Sequence, residues 1–121
     1  MNRILQKGVG WRVGWWPDAP EFKGLVGGDE WALELTELEF RDFCRLLHQL
    51  ADTLKQMAGE LMEEERITCE AESELIWLEV EGFPQAFSLR FMVLTGRRAE
   101  GNWSSEVVPE LLQALQTLPA F

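Results

Sequence analysis

From Trp11 to Trp16 the side chains alternate in a period of two, the pattern of a strand with one buried face. Trp11, Val13 and Trp15 share that face, and Trp16 falls on the other, beside Arg12 and Gly14. Pro17-Asp18-Ala19-Pro20 ends the strand. Phe22 to Val26 reads as a second strand, and Gly27-Gly28 as a tight hairpin turn with positive φ. Trp31 to Leu35 is the third, with Trp31, Leu33 and Leu35 on one face and Ala32 and Glu34 on the other. Thr36 followed three residues later by Glu39 is a capping box and predicts a helix start. Behind it Phe40, Phe43, Leu46, Leu47, Leu50, Ala51, Leu54, Met57, Ala58 and Leu61 recur at helical period. Arg41, Arg45, His48, Asp52 and Lys55 fall opposite, Glu37 and Arg41 form a favourable i,i+4 pair, and Gly59 weakens the last turns.

After the polar connection Glu63-Glu64-Glu65 the period returns to two. Ile67, Cys69 and Ala71 alternate with Thr68, Glu70 and Glu72; Ile76, Leu78 and Val80 alternate with Trp77, Glu79 and Glu81. Gly82-Phe83-Pro84-Gln85 is a turn, and Ala86 to Leu94 is a further strand with Phe87, Leu89, Phe91 and Val93 on one side. Thr95 to Trp103 reads as a polar loop. Ser104 or Ser105 is placed to cap a closing helix, with Pro109 in its first turn and Leu111, Leu112, Leu115 and Leu118 along its apolar side. The order is three strands, a helix, three strands, a helix. Strand blocks joined by hairpins predict an α+β fold of antiparallel sheet, βββα-βββα, in one domain spanning 1–121. A doubly wound parallel sheet is disfavoured, because strands and helices do not alternate singly.

Composition narrows the classes of function. An apolar fraction of 46% supports a packed core and argues against disorder. No apolar run is long enough for a membrane span, and the first residues carry no signal-peptide core, so a cytoplasmic protein is expected. Two cysteines and one histidine suit neither a disulfide framework nor a zinc site; no metal or cofactor is expected. The net charge of -10 opposes nucleic-acid binding, which rests on neutralising phosphates. The acid is uneven: Glu60 to Glu81 holds nine acidic residues and one base, Arg66, while Arg3, Lys7, Arg12, Arg90, Arg97 and Arg98 lie elsewhere. That asymmetry leaves room for a local basic site.

The stretches GWRVGWW, DEWALELTELEFRDFCRLLHQL, ELMEEERITCEAESELIWLEVEGFP and LTGRRAEGNW together resemble a small cyanobacterial family known as a domain of unknown function. The resemblance covers nearly the whole chain. It implies a fold similar to the Whirly-type single-stranded-DNA-binding transcription regulators, in which sheet-and-helix halves recur. It implies no catalytic residues.

Each candidate chemistry has a plainer alternative. Cys44 and His48 stand i,i+4 on the long helix, the spacing of a thiol and its base, but no oxyanion loop adjoins them. A semi-buried cysteine beside a solvent-facing histidine explains the pair as well, and Cys69 reads as core. Glu70 with Glu72 and Glu79 with Glu81 share strand faces, and a solvated charged face accounts for them without a metal. The glycines match no phosphate-binding loop. No set of matched base, nucleophile and electrostatic stabiliser is present, so an enzyme is not expected.

Arg12, Trp16, Arg90, Arg97, Arg98 and Trp103 form the candidate recognition surface. Arginine with tryptophan is the composition of a protein-interface hot spot, and equally of a platform for stacked single-stranded bases. The alternative is that Trp16 and Trp103 pack between sheet and helix while the arginines pair with glutamates. Trp77 lies on the acidic face, where phosphate would be repelled and a protein partner suits better. The expected function is a non-catalytic binding or adaptor module engaging a protein partner, with single-stranded nucleic-acid binding as the alternative. A homo-oligomer through an exposed strand edge is compatible with six antiparallel strands.

Overall fold

The sheets hold four strands each, not three. In a computed structural model, which describes residues 3–60 and 65–118, β1 (Ile4–Gly8), β2 (Trp11–Trp15), β3 (Gly24–Gly27) and β4 (Ala32–Leu35) pair in sequence order, each neighbour antiparallel. Helix α1 (Glu37–Met57) follows. A second antiparallel sheet repeats the plan with β5 (Ile67–Glu72), β6 (Ile76–Phe83), β7 (Ala86–Val93) and β8 (Glu100–Trp103), and α2 (Val108–Thr117) closes it. The order is therefore ββββα-ββββα, an α+β fold. Leu61 of the expected stripe, and Glu63 and Glu64 of the acidic connection, lie outside the described residues.

Two strands escaped the sequence pattern for physical reasons. β1 carries Leu5 and Lys7 outward and Ile4, Gln6 and Gly8 inward, so its inner face is only one-third apolar. Gly8 is small because the Trp11 ring lies where its Cβ would be. β8, expected as loop, turns Gly101 and Trp103 inward; the ring of Trp31 occupies the space beside Gly101. A strand whose inner face alternates glycine with tryptophan leaves no hydrophobic period to detect.

The turn between β3 and β4 also corrects the expectation. Among the described glycines only Gly10 and Gly82 have positive φ, so Gly27 and Gly28 are not left-handed. They serve close approach: a Cβ on Gly28 would stand 2.5 Å from Trp31 Nε1, and one on Gly27 would stand 2.5 Å from the Trp31 carbonyl oxygen. The left-handed turn is Gly10, between β1 and β2.

Helix α1 begins with the complete capping box at Thr36 and Glu39 and carries the Glu37–Arg41 ion pair at 2.7 Å. It ends at Met57, two residues before Gly59. Helix α2 differs from expectation: its N-cap is Val107, without a side-chain cap hydrogen bond. The Ser104 carbonyl accepts from the Val107 and Val108 amides instead.

The inner faces of both sheets and the apolar sides of both helices meet in one core. Trp11, Val13 and Trp15 are buried on the inner face of β2, and Trp15 stacks on Phe40 of α1 at 5.6 Å. Trp31, Phe43, Phe91 and Trp103 form an aromatic cluster with centroids 5.2–6.0 Å apart, joining α1 to both halves. Its polar handle is satisfied: Trp103 Nε1 donates to the Gly27 carbonyl at 2.9 Å. No described helix is long and apolar enough to cross a membrane.

Candidate functional site

The six residues of the expected recognition surface do not stand together. Trp103 is only 3% exposed and belongs to the aromatic core, so it offers no recognition surface. Arg12, on the outer face of β2, donates through Nε to the Gly28 carbonyl and through an Nη to the Trp31 carbonyl, bracing the β3–β4 turn. Arg90 lies on the outer face of the second sheet, its guanidinium 5.0 Å above the Trp77 ring and 3.8 Å from Glu79. Arg98 is exposed at a turn and holds a positive φ of 50°.

Trp16 and Arg97, 81 residues apart, are linked through Phe22, which lines a cleft with Trp16 and lies under the Arg97 guanidinium. Trp16 follows β2, its amide held by the Lys23 carbonyl at 2.8 Å, and its side chain points outward with 45% of the residue exposed. A shallow cleft beside it is floored by Gly14 and walled by Leu5, Leu25 and Phe22. The floor is flat because three neighbouring strands set Leu5, Gly14 and Leu25 side by side, and the middle one has no side chain. Arg3 crosses from the end of β1 and lies 5.2 Å over the Trp16 ring. On the far rim Arg97 lies 4.7 Å over the Phe22 ring and donates to the Glu34 carbonyl at 2.7 Å.

The cation on this rim is anchored by a carboxylate inside the fold. Glu39 is 3% exposed, the one buried charged residue among those described. Its Oε1 accepts from the Thr36 amide at 2.9 Å and from Arg97 at 2.6 Å; its Oε2 accepts from the Thr95 hydroxyl at 3.1 Å. The capping residue of α1 thereby also ties the β7–β8 turn to the first half of the chain.

Sequence reasoning missed Arg3, Leu5 and Phe22. Without β1 beside β2, neither Arg3 nor Leu5 had a reason to stand near Trp16. Phe22, expected as the first residue of the second strand, lies in the loop ahead of β3, which begins at Gly24.

The outer face of the second sheet is acidic, and its β6 carboxylates are compensated within the face. Arg66 meets Glu81 at 3.0 Å, Arg90 meets Glu79, and Trp77 Nε1 donates to Glu70 at 3.3 Å. Trp77 itself is half-buried beneath Arg90. No group of three or more His, Cys, Asp or Glu among the described residues is arranged to hold a metal ion.

The Cys44–His48 pair is not an activated nucleophile. Cys44 is buried, and burial pushes its thiol up to about 12, so at neutral pH the thiolate is absent. His48 is half-buried rather than solvent-facing; its Nε2 is enclosed and has no hydrogen-bond partner among the described residues.

Two antiparallel sheets, each followed by a helix, meet around a shared core in an α+β fold, with a small cleft beside Trp16. The profile of a domain of unknown function, DUF1818, matches residues 6–118, and the chain belongs to that family. It is also similar to a crystal structure described as a protein with unknown function from the DUF155 family, from Prochlorococcus sp. NATL2A. The TM-score is 0.89 and the identity 28%, over 94% of this chain and 97% of that one. No curated protein matches the sequence.

Proposed function

We propose that this chain is a non-catalytic, cytoplasmic binding or adaptor module that engages a protein partner at the Trp16 cleft. The observation that carries this reading is the exposure of Trp16 above an apolar floor, flanked by Arg3 and Arg97. Tryptophan and arginine around a small apolar depression are the composition of interface hot spots. The other described tryptophans are buried or half-buried. The test is affinity capture from a cyanobacterial lysate with the wild-type chain, Trp16→Ala and Val9→Ala side by side. Val9 is an exposed apolar residue away from this cleft, and so controls for stickiness. A partner retained by wild type and Val9→Ala and lost with Trp16→Ala supports the reading. Equal recovery on all three sinks it.

One observation favours a second reading. Arg3, Lys7 and Arg12 share the outer face with Trp16, a local excess of cations on an acidic chain. Together with the recurring sheet-and-helix half, this supports a Whirly-like fold and single-stranded nucleic-acid binding. A labelled single-stranded oligonucleotide at low ionic strength, where electrostatic affinity is greatest, decides it; no shift at micromolar protein rules it out.

A further inference from the structure

The four edge strands are not equivalent. At β4 the Glu34 carbonyl is taken by Arg97, and β8 is four residues long with the ring of Trp103 committed to Gly27. β1 and β5 are the outermost strands of their sheets, and among the described residues their backbones make no hydrogen bond beyond the ladder to β2 and β6. Both strands hold half-buried inner side chains, Ile4 and Gln6 on one, Ile67, Cys69 and Ala71 on the other.

Their outer faces carry opposite charge, and that charge is uncompensated. Among the described residues, Lys7 of β1 has no ion pair or hydrogen bond, and Arg3 has only the Trp16 ring. Glu72 of β5 has no ion pair among them either. Glu70 stands directly opposite Glu79, a like-charge pair, and only Glu79 has a neutralising arginine. Like charges facing across strands destabilise a sheet. A lysine on an edge strand discourages pairing with neutral or basic strands. Against an acidic strand the same lysine selects its partner.

We infer that β1 of one copy of this chain adds to β5 of a second copy as a continuous antiparallel sheet, held in register by Lys7 against Glu70. In that register Leu5 faces Glu72, and Arg3 and Lys7 are both diagonal neighbours of Glu72. Gln6 and Gly8 face Ala71 and Cys69 on the inner side, where no charge is buried, while the outer side carries the Lys7–Glu70 pair and the two diagonal contacts to Glu72. The contact is heterologous, so each copy retains one free β1 and one free β5, and assembly proceeds to rings or chains.

Sedimentation velocity from micromolar to millimolar protein tests this with three variants, Lys7→Glu, Glu70→Lys and the double reversal. All four proteins must first show the same circular-dichroism spectrum and melting profile, which exposed side chains permit. The expected result is a wild-type mass rising above 13.9 kDa with concentration. Each single reversal should weaken association by roughly tenfold or more. The double reversal should restore it, and so should mixing the two single variants, because β1 of each then meets a complementary β5. Simple net-charge repulsion predicts otherwise: Glu70→Lys would associate more strongly than wild type. That outcome, a wild type monomeric throughout, or a double reversal that fails to recover overturns the proposal.

Discussion

The two sheets share a plan and differ in what they do with their outer faces. Both are four antiparallel strands followed by a helix. The second has the longer strands, eight residues each in β6 and β7, and the outer carboxylates of β6 are answered within the face, Glu79 by Arg90 and Glu81 by Arg66. The first has strands of four or five residues, with Gly8, Gly14, Gly24 and Gly27 among them. Its outer face is left with a small cleft, an exposed tryptophan and cations that meet no carboxylate among the described residues. The second face is completed at its centre by its own ion pairs and leaves carboxylates only at its β5 edge, whereas the first face keeps an apolar cleft at its centre.

Four measurements would break or sharpen that contrast. The largest effect is expected inside. Trp103→Ala removes the centre of the aromatic cluster and leaves the Gly27 carbonyl without its donor. A loss of about 3–5 kcal/mol in urea unfolding is expected, whereas Trp16→Ala should change stability by no more than about 0.5 kcal/mol. Next, Glu39→Ala opens the capping box and strands Arg97; a loss of about 2 kcal/mol is expected by the same method. Third is a pH effect. With the Cys44 thiol at about 12 in the fold and near 9 when unfolded, the unfolded chain releases this proton first as pH rises. The thiol's contribution is complete below pH 9 and is lost between 9 and 12, at roughly 1.4 kcal/mol per pH unit. Comparing wild type with Cys44→Ala across that window should show a steeper fall for wild type; parallel curves would contradict the buried thiol. The smallest effect is outside, on the completed face: Arg90→Ala should cost about 0.5–1 kcal/mol, through the lost Trp77 contact and an exposed ion pair. A larger loss there would mean that the second face is structural rather than merely satisfied.

What the sequence discloses follows from where burial imposes a period. α1, β2 and β6 announce themselves because one face of each is continuously apolar. The capping box at Thr36 and Glu39 forms as read, since it is local chemistry between residues three apart. β1 and β8 were invisible because their inner positions hold glycines that yield space to Trp11 and Trp31, so the hydrophobic signal of each strand is carried by a ring from elsewhere. The same applies to the site. Trp16 was identifiable as the tryptophan on the wrong side of its strand. Arg97 was named with it from residue type, though not the buried carboxylate that holds it; Arg3 was not placed there, because it reaches Trp16 only through a strand pairing. Trp103, alike in composition, is core because it stands on the inner face of β8, packed on Trp31 and Phe91 with its Nε1 on the Gly27 carbonyl. Residue type alone does not separate the two tryptophans; the side of the sheet each occupies does.

The geometry at Trp16 also gives the protein an optical handle. An indole that is 45% exposed beneath a guanidinium emits at longer wavelength than the enclosed indoles of Trp11, Trp15 and Trp103. Iodide, drawn to Arg3, should quench this red-shifted fraction more efficiently than caesium, despite a net charge of -10 that favours the cation everywhere else. The difference between the two quenchers then reads the local potential of a single surface spot, and its disappearance on titration would report occupancy of the cleft without any label.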